Sequence, residues 1–439
     1  MEASGEQVYL DHNATSMMTE DVVEAMTRWC NRGLPSTDSE DARRLVEAFR
    51  QEIAVWCGFE RTAYDVVFTS GASESNAMIV TGAVRAYASR TGRMPHVVVS
   101  AAEHVSVLLC ARRLAREKMC QLTVLDVGRA GAADLGLVTP AALHAALRPN
   151  TCLISIVAAA RDTGALNDLK ALARVARTAN VPFHSDAAQL FGRAHLRPGA
   201  LGLDAFSATF HKLGGPPGVG VLVVSRRLVL GYDLSPLVYG PQSGGLRGGA
   251  ENVPGLAAGF AAYRAAMADR AAKTARVQRL RDAARSRLAA AGIQCFGVDA
   301  HPSDPLPSLD GGITPERPPR HRGTPEGREA IARAGSRTPL VFWVAPGDPG
   351  RVLPNTLLVA VRRVDFSARA TRAALERRDV VVGVVPRADL AYLDLADALT
   401  RGGLLRVSLG DDTTAEDVER FARCLAEVLL SDECVEPRG

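Results

Sequence analysis

The sequence predicts an α/β protein, with a largely parallel, helix-covered sheet first and a smaller α+β part after it. Three observations lead there. Strand-length apolar runs alternate with longer helical patterns between Asp65 and Ser225. The texture changes near Pro254 to an Ala-, Arg- and Leu-rich stretch. Strand-like runs then resume at Leu340. The longest apolar runs, such as Val219–Val224, fall far short of the ~18 residues of a membrane span.

Each element follows from its pattern. Asp65–Thr69 is a short strand ending at Ser70-Gly71, and Glu74–Ala88 reads as the helix after it. His96–Ser100 (HVVVS) is a buried strand, followed by a helix over Val105–Lys118. Gln121–Val127 and Cys152–Val157 are further strands. Leu169–Thr178 places Leu169, Leu172, Val175 and Ala176 on one helical face. Val181–His184, Ala205–Thr209 and Val219–Ser225 complete the first set of strands. Gly255–Gly292 reads as one long helix or two in sequence. Residues 301–337 carry seven Pro and few large apolar side chains, so they read as a flexible insertion. Leu340–Val344, Thr356–Val361 and Val380–Val385 are strands, and Ala415–Leu430 is an amphipathic helix.

Composition narrows the function classes. With 439 residues, 47 % of them hydrophobic and 23 % charged, the chain can bury a sizeable core. Fifty-two basic against 48 acidic residues leave a net charge of +4, which makes no case for nucleic-acid binding. Eight Cys without a CxxC spacing suggest neither a disulfide framework nor a zinc site. The acidic opening MEASGEQ lacks the order of a signal peptide, and a cytoplasmic, non-membrane location is expected.

Three groups carry chemistry in a telling order. Gly71, Ala72 and Ser73 stand where a strand gives way to a helix, so their backbone N–H groups could hold a phosphate. The plainer reading is a turn with Ser73 as N-cap. Asp186 ends a strand on the ligand-binding side of an open α/β sheet, or else caps a helix starting at Ala187. Lys212 follows a strand and precedes a Gly/Pro-rich turn, where a shielded amine could form an imine; otherwise it is a surface lysine. His104, after another strand, is either a ring-stacking group or a satisfied core histidine. An anion site, a carboxylate for a pyridine nitrogen and an amine are what pyridoxal 5′-phosphate (PLP) requires.

Eight motifs then resemble one family. They are VYLDHNAT (Val8–Thr15), FTSGASESN (Phe68–Asn76), AEH (Ala102–His104) and HSDAAQ (His184–Gln189). SATFHK (Ser207–Lys212) with GPPGVG follows, then GPQSGGLRGGAEN (Gly240–Asn252), LPNT (Leu353–Thr356) and LRVSLG (Leu405–Gly410). The chain resembles the class V aminotransferases, in the branch of the cysteine desulfurases (NifS/IscS-like) and selenocysteine lyases. The resemblance implies the PLP-dependent transferase fold type I, a mostly parallel seven-stranded-type sheet with a small α+β C-terminal domain. Residues 15–265 would form the large domain and 266–439 the small one, with 1–14 packing against the latter. It implies that Lys212 carries the cofactor, that His104 stacks on it and moves protons, and that Asp186 pairs with its ring nitrogen. Gln189 would contact the phenolic oxygen, and Ala72, Ser73, Thr209 and His211 the phosphate. Arg406 and Asn13 would bind the amino-acid substrate, Arg406 by its planar fork. A homodimer, with Gly240–Asn252 reaching the partner's phosphate site, and a sulfur-acceptor protein are the implied partners.

Four departures stand out. The family's ANNETG reads Ala159-Ala160-Arg161-Asp162-Thr163-Gly164, so Arg161 either takes over an Asn contact or brings a cation where the family has none. Ala250 replaces a Thr whose hydroxyl reaches phosphate, a bond worth roughly 1.5–3 kcal/mol. Gly33–Ser39 lacks the family's Asn and His. The stretch aligned with the family's mobile loop, Val382–Arg387, has no Cys, whereas a desulfurase uses a loop thiolate on the substrate sulfur. Two functions are therefore weighed: a PLP enzyme acting on cysteine or a related sulfur or selenium amino acid, and a catalytically degenerate homologue that acts as a binding or scaffold protein.

Overall fold

The computed structural model describes residues 7–30, 39–128, 134–194, 196–291, 293–297, 340–344, 349–363, 365–386 and 402–435. The Pro-rich stretch 301–337, most of the Gly33–Ser39 motif and residues 387–401 lie outside them. Among the described residues, thirteen strands form two sheets. They are β1 (Val8–Leu10), β2 (Tyr64–Thr69), β3 (His96–Ser100), β4 (Gln121–Leu125), β5 (Thr151–Ser155), β6 (Phe183–Asp186) and β7 (Ala205–Thr209). β8 (Gly220–Ser225), β9 (Gln294–Gly297), β10 (Leu340–Trp343), β11 (Thr356–Arg362), β12 (Val380–Val385) and β13 (Leu404–Ser408) complete the set.

The first sheet has the order β2-β8-β7-β6-β5-β3-β4. Only β8 runs against the others, pairing antiparallel with β2 and β7. Every residue of β3, β5, β6, β7 and β8 is buried. That explains why these strands read as continuous apolar runs rather than as alternating ones: helices cover both faces. Within the sheet, His184 bridges Ser155 and Ser207 through Nδ1 and Nε2, each at 2.9 Å. Burial pushes its imidazole down to about 4, so a neutral ring serves as donor on one side and acceptor on the other.

The parallel strands all point their C-terminal ends the same way, and that edge carries the polar turns. Ser70 to Ala72 follow β2, Glu103 and His104 follow β3, and Arg161 and Asp162 follow β5. Asp186 ends β6, and His211 and Lys212 sit in a 3₁₀ turn after β7. Phe210, at the base of that turn, is fully buried in an aromatic cluster. Phe49 packs 5.1 Å from Phe210, 5.0 Å from Phe68 and 4.7 Å from Phe260, ring centre to ring centre. The helix Glu40–Cys57 that carries Phe49 starts on Ser39, whose side chain accepts from Ala42 N, and ends on Gly58 in the left-handed region.

Of the two readings for the stretch after Pro254, one long helix or two, the structure has two: Val253–Met267 and Arg270–Ala290. The break falls at Asp269, held at φ 50°, a conformation that Asp tolerates better than most residues. The second sheet has the order β1-β12-β13-β11-β10-β9. β1 comes from the start of the chain and pairs in parallel with β12, Val8 opposite Val380. The helices Arg270–Ala290, Ala368–Glu376 and Ala415–Leu430 contribute apolar residues to one core with it. Ala415–Leu430 opens with a capping box between Thr414 and Asp417. Arg270 spans the two parts: its Nη1 donates to Gly192 O at 3.1 Å, while Nη1 and Nη2 reach the two oxygens of Asp411 at 2.8 Å each.

Because Phe49 is fully enclosed beneath the turn that bears Lys212, truncating it leaves a cavity that rigid neighbours cannot fill. Phe49→Ala should lower unfolding free energy by about 3–5 kcal/mol, read from urea unfolding. A loss below about 1 kcal/mol would show that the cluster does not support the turn.

Candidate active site

The C-terminal edge of the first sheet walls a cavity of about 800 Å³. Nine of the residues singled out in the sequence line it: Asn13, Ala72, Ser73, His104, Asp186, Gln189, Thr209, His211 and Lys212. Arg406 does not. It is buried one ion pair further in, behind Asp162, which does line the cavity.

The turn after β2 depends on two glycines. Gly71 adopts φ 155°, which disfavours a side chain, and a Cβ on Gly220 of β8 would stand 2.4 Å from the Gly71 Cα. The backbone thus passes close to β8 and enters the helix Ala72–Thr91 with no side-chain cap. Ser73 is inside the helix, not its N-cap. Glu74 secures the turn: its carboxylate accepts from Ser70 N at 2.6 Å and from Arg247 Nε at 3.0 Å. Although burial opposes its charge, these bonds hold the Glu74 carboxyl below its usual range.

Asp186 is held from two sides. Its Oδ2 accepts from Asn76 Nδ2 at 2.7 Å, and its Oδ1 accepts from Ala188 N at 2.9 Å. No helix starts at Ala187, so the carboxylate is a turn residue rather than a helix cap. His104 caps the helix Val105–Arg116: its Nδ1 accepts from Ser106 N at 3.2 Å. Burial lowers its pKa, and with Nδ1 accepting a backbone N–H, the neutral ring carries its proton on Nε2. His211 Nδ1 lies 3.2 Å from Thr15 Oγ1, and Thr209 Oγ1 donates to Val219 O at 3.3 Å. Burial, with the charges of Lys212 and Arg193, takes His211 down to about 4. Burial likewise pushes the Lys212 ammonium down to about 8; Asp186 resists this, while Arg193, Arg161 and Arg406 add to it.

Gln189 is not free to reach into the cavity with both ends of its amide. Its Nε2 donates to Asn13 O at 3.0 Å and its Oε1 accepts from Arg193 Nη1 at 2.7 Å. Arg406 sits between two carboxylates: Nη2 donates to Asp11 Oδ1 at 2.7 Å and Nη1 to Asp162 Oδ1 at 2.5 Å. Burial works against the charge, and the two carboxylates more than offset it, raising its pKa. Asp162 Oδ1 also accepts from Arg161 Nε at 3.2 Å, so one oxygen serves two guanidinium groups. Gly383 makes room for this chain, since a Cβ there would lie 2.7 Å from Asp11 Oδ1.

Four groups of the site were not singled out in the sequence. Asp11 and Glu103 lie inside quoted motifs, VYLDHNAT and AEH, and adjacency to Asn13 and His104 was the available signal. Glu103 is fully enclosed; its Oε1 accepts from Ser100 Oγ and Val157 N at 2.6 Å each, and burial pushes it up to about 8. Asp162 lies inside the stretch aligned with ANNETG, next to Arg161, whereas Arg193 carries no signal beyond its charge. In the stretch aligned with the family's mobile loop, Val382–Val385 belong to β12, the strand expected from the sequence, and Gly383–Val385 pair with β13. Among the described residues, no cysteine lines the cavity.

Comparison with known proteins places this geometry. The family model "Aminotransferase class-V" matches residues 8–304. A "Cysteine desulfurase IscS" of Anaeromyxobacter sp. (strain Fw109-5) is 35 % identical over 432 residues, covering 96 % of this chain and 92 % of that protein. The same-named protein of Anaeromyxobacter dehalogenans (strain 2CP-C) is 35 % identical over 291 residues, 64 % of this chain and 68 % of its own length. Among solved structures, a "NIFS-LIKE PROTEIN" superposes with TM-score 0.76 at 23 % identity, covering 97 % of this chain and 99 % of that one. DndA from Streptomyces lividans follows with TM-score 0.65 at 26 % identity, covering 90 % and 97 %. The chain belongs to the class-V aminotransferase family and is cysteine-desulfurase-like.

Proposed function

We propose that this protein is a PLP-dependent enzyme acting on cysteine or a closely related sulfur or selenium amino acid, with Lys212 as the amine that bears the cofactor. The observation that carries this reading is the meeting of Lys212, Asp186, His104 and the uncapped helix start at Ala72 around one cavity of about 800 Å³. The residues fit the group. A helix without a side-chain cap favours an anion at Ala72 and Ser73. A buried carboxylate suits a protonated pyridine nitrogen at Asp186. Bound there, PLP supplies an electron sink for the substrate Cα.

The chain's own residues supply the rest. An amine with a pKa of about 8 is partly neutral near pH 7, so Lys212 Nζ can take and return a proton at the substrate Cα. Neutral His104 offers Nε2–H toward the cavity. Arg406, paired with Asp11 and Asp162 behind the cavity wall, would meet the substrate carboxylate by giving up its Asp162 bond to it. Asn13 forms part of the same wall. Residues 15–265 act as the large domain and 266–439 as the small one, a division supported by the two sheets. The same proposal includes a homodimer. Exposed Val105 and Leu109 at the cavity mouth and exposed Tyr239 beside Gly240–Asn252 support it. The sulfur acceptor, where one is used, and a cytoplasmic setting belong to this reading; no described helix is long and apolar enough to cross a membrane.

Absorbance tests the reading directly. The wild-type protein with PLP should be yellow, Lys212→Ala should lose the reducible covalent adduct completely, and Asp186→Ala should bind PLP at least about tenfold more weakly. A colourless wild-type protein would instead favour the scaffold reading. Light scattering should give a mass twice that of the chain, and a clean monomer with full PLP occupancy would overturn the dimer.

The products discriminate the route. With no thiol lining the described cavity, L-cysteine should lose its sulfur by β-elimination. The Cα proton leaves to Lys212, the Cβ–S bond breaks with its electron pair on sulfur, and water then releases pyruvate and ammonia beside sulfide. Mass spectrometry after alkylation should find no persulfide on the chain. A Lys212-dependent persulfide formed at the turnover rate would overturn the elimination route.

A further inference from the structure

Arg193 holds the site together without a counter-ion. Its Nη1 donates to Asn13 Oδ1 at 2.8 Å, to Gln189 Oε1 at 2.7 Å and to Gln189 O at 3.4 Å. Its Nη2 donates to His12 O at 2.9 Å and Lys212 O at 3.5 Å. All five acceptors are neutral. Among the described residues, no carboxylate lies within ion-pair range of it; the nearby Asp411 is held by both arms of Arg270. A half-buried cation satisfied only by neutral oxygens carries a desolvation cost, and here its contacts converge on residues of the cavity.

Those contacts decide geometry that the side chains cannot decide alone. An Asn or Gln amide can face either way. With Oε1 on Arg193, Gln189 must turn its NH2 to Asn13 O. With Oδ1 taken by Arg193 and by Asn355 Nδ2, Asn13 must turn its NH2 to Arg161 O and Thr356 Oγ1. The Lys212 carbonyl, meanwhile, is tied to the 12–13 segment through the same guanidinium.

We propose that Arg193 is a positioning residue, whose guanidinium sets the facing of the Gln189 and Asn13 amides and pins the Lys212 turn to the N-terminal segment. This rests on the reading of Lys212 as the cofactor-bearing amine. A second consequence follows from charge. Asp186 stabilises the Lys212 ammonium, while Arg193, Arg161 and Arg406 disfavour it. His104 and His211 face it as neutral rings. From the smaller cavity of about 240 Å³ on its other side, His12, Arg270, Lys273, Asp411 and Asp412 face the same turn. Arg161 and Arg406 share Asp162, and Arg270 is paired with Asp411. Among the described residues, Arg193 is thus the arginine near Lys212 that makes no ion pair, and Asp411 acts on it only from longer range.

The test is competitive acetylation of the full chain without PLP over pH 6–11, with the Lys212 peptide read by mass spectrometry, beside PLP affinity from an absorbance titration. Wild-type Lys212 should label with a midpoint near 8. Arg193→Met should raise that midpoint by about one unit and weaken PLP about tenfold or more. Arg193→Lys should return the midpoint toward wild type but not the affinity, because an ammonium cannot reach both amides. An unmoved midpoint in Arg193→Met, or wild-type PLP affinity in Arg193→Lys, would overturn the proposal. Should Arg193→Met fail to fold, the Arg193→Lys affinity decides alone. A wild-type midpoint near that of a free lysine, about 10.4, would overturn the Lys212 reading and this inference with it.

Discussion

Arg406 is a cation enclosed between two sheets, and the carboxylates of Asp11 and Asp162 make its burial tolerable. Asp11 follows β1, Asp162 follows β5 in the other sheet, and Arg406 itself lies in β13. One ion-pair chain therefore joins the start of the chain, the large sheet and the small sheet. Removing one member of such a buried set leaves an unpaired charge, at a cost of about 3–5 kcal/mol. The register around it follows: Gly383 opposite Arg406 must lack a side chain, and β1 must lie beside β12 to bring Asp11 within reach.

The rest of the site's chemistry is governed by the same scarcity of water. Burial is the largest influence on Lys212, His104, His211, His184 and Glu103 alike, and each is driven toward its neutral form. The charges that survive are those with specific partners: Glu74 with Arg247 and the Ser70 amide, and Arg406 with its two carboxylates. A cavity arranged in this way offers an amine of lowered pKa, a neutral imidazole and a fixed carboxylate side by side. That combination suits proton transfer next to a ring bearing its own charges.

Arg161 and the loss of the ANNETG asparagines take on meaning in this setting. Arg161 does not stand alone in the cavity wall; its Nε shares Asp162 Oδ1 with Arg406, and its carbonyl accepts from Asn13. The departure from the family pattern thus extends the ion-pair chain to the cavity surface instead of leaving an isolated cation there.

The sequence by itself determined the elements whose apolar pattern matches their burial. His96–Ser100, Leu169–Thr178, Ala205–Thr209, Val380–Val385 and Ala415–Leu430 have the bounds that their apolar patterns indicate, because the strands bury apolar residues on both faces and the helices bury one. It also indicated Asp186, Lys212 and the Gly71 turn, since a polar residue directly after a buried parallel strand must lie at the sheet's C-terminal edge. Only the tertiary structure decided which of these edges meet and that Val8–Leu10 pairs with a strand some 370 positions later. It alone separated Arg406 from the cavity wall and gave Arg193 its place. The physical reason is range: periodicity reports whether a residue faces a core, whereas ion pairing and amide orientation depend on partners that no local pattern specifies.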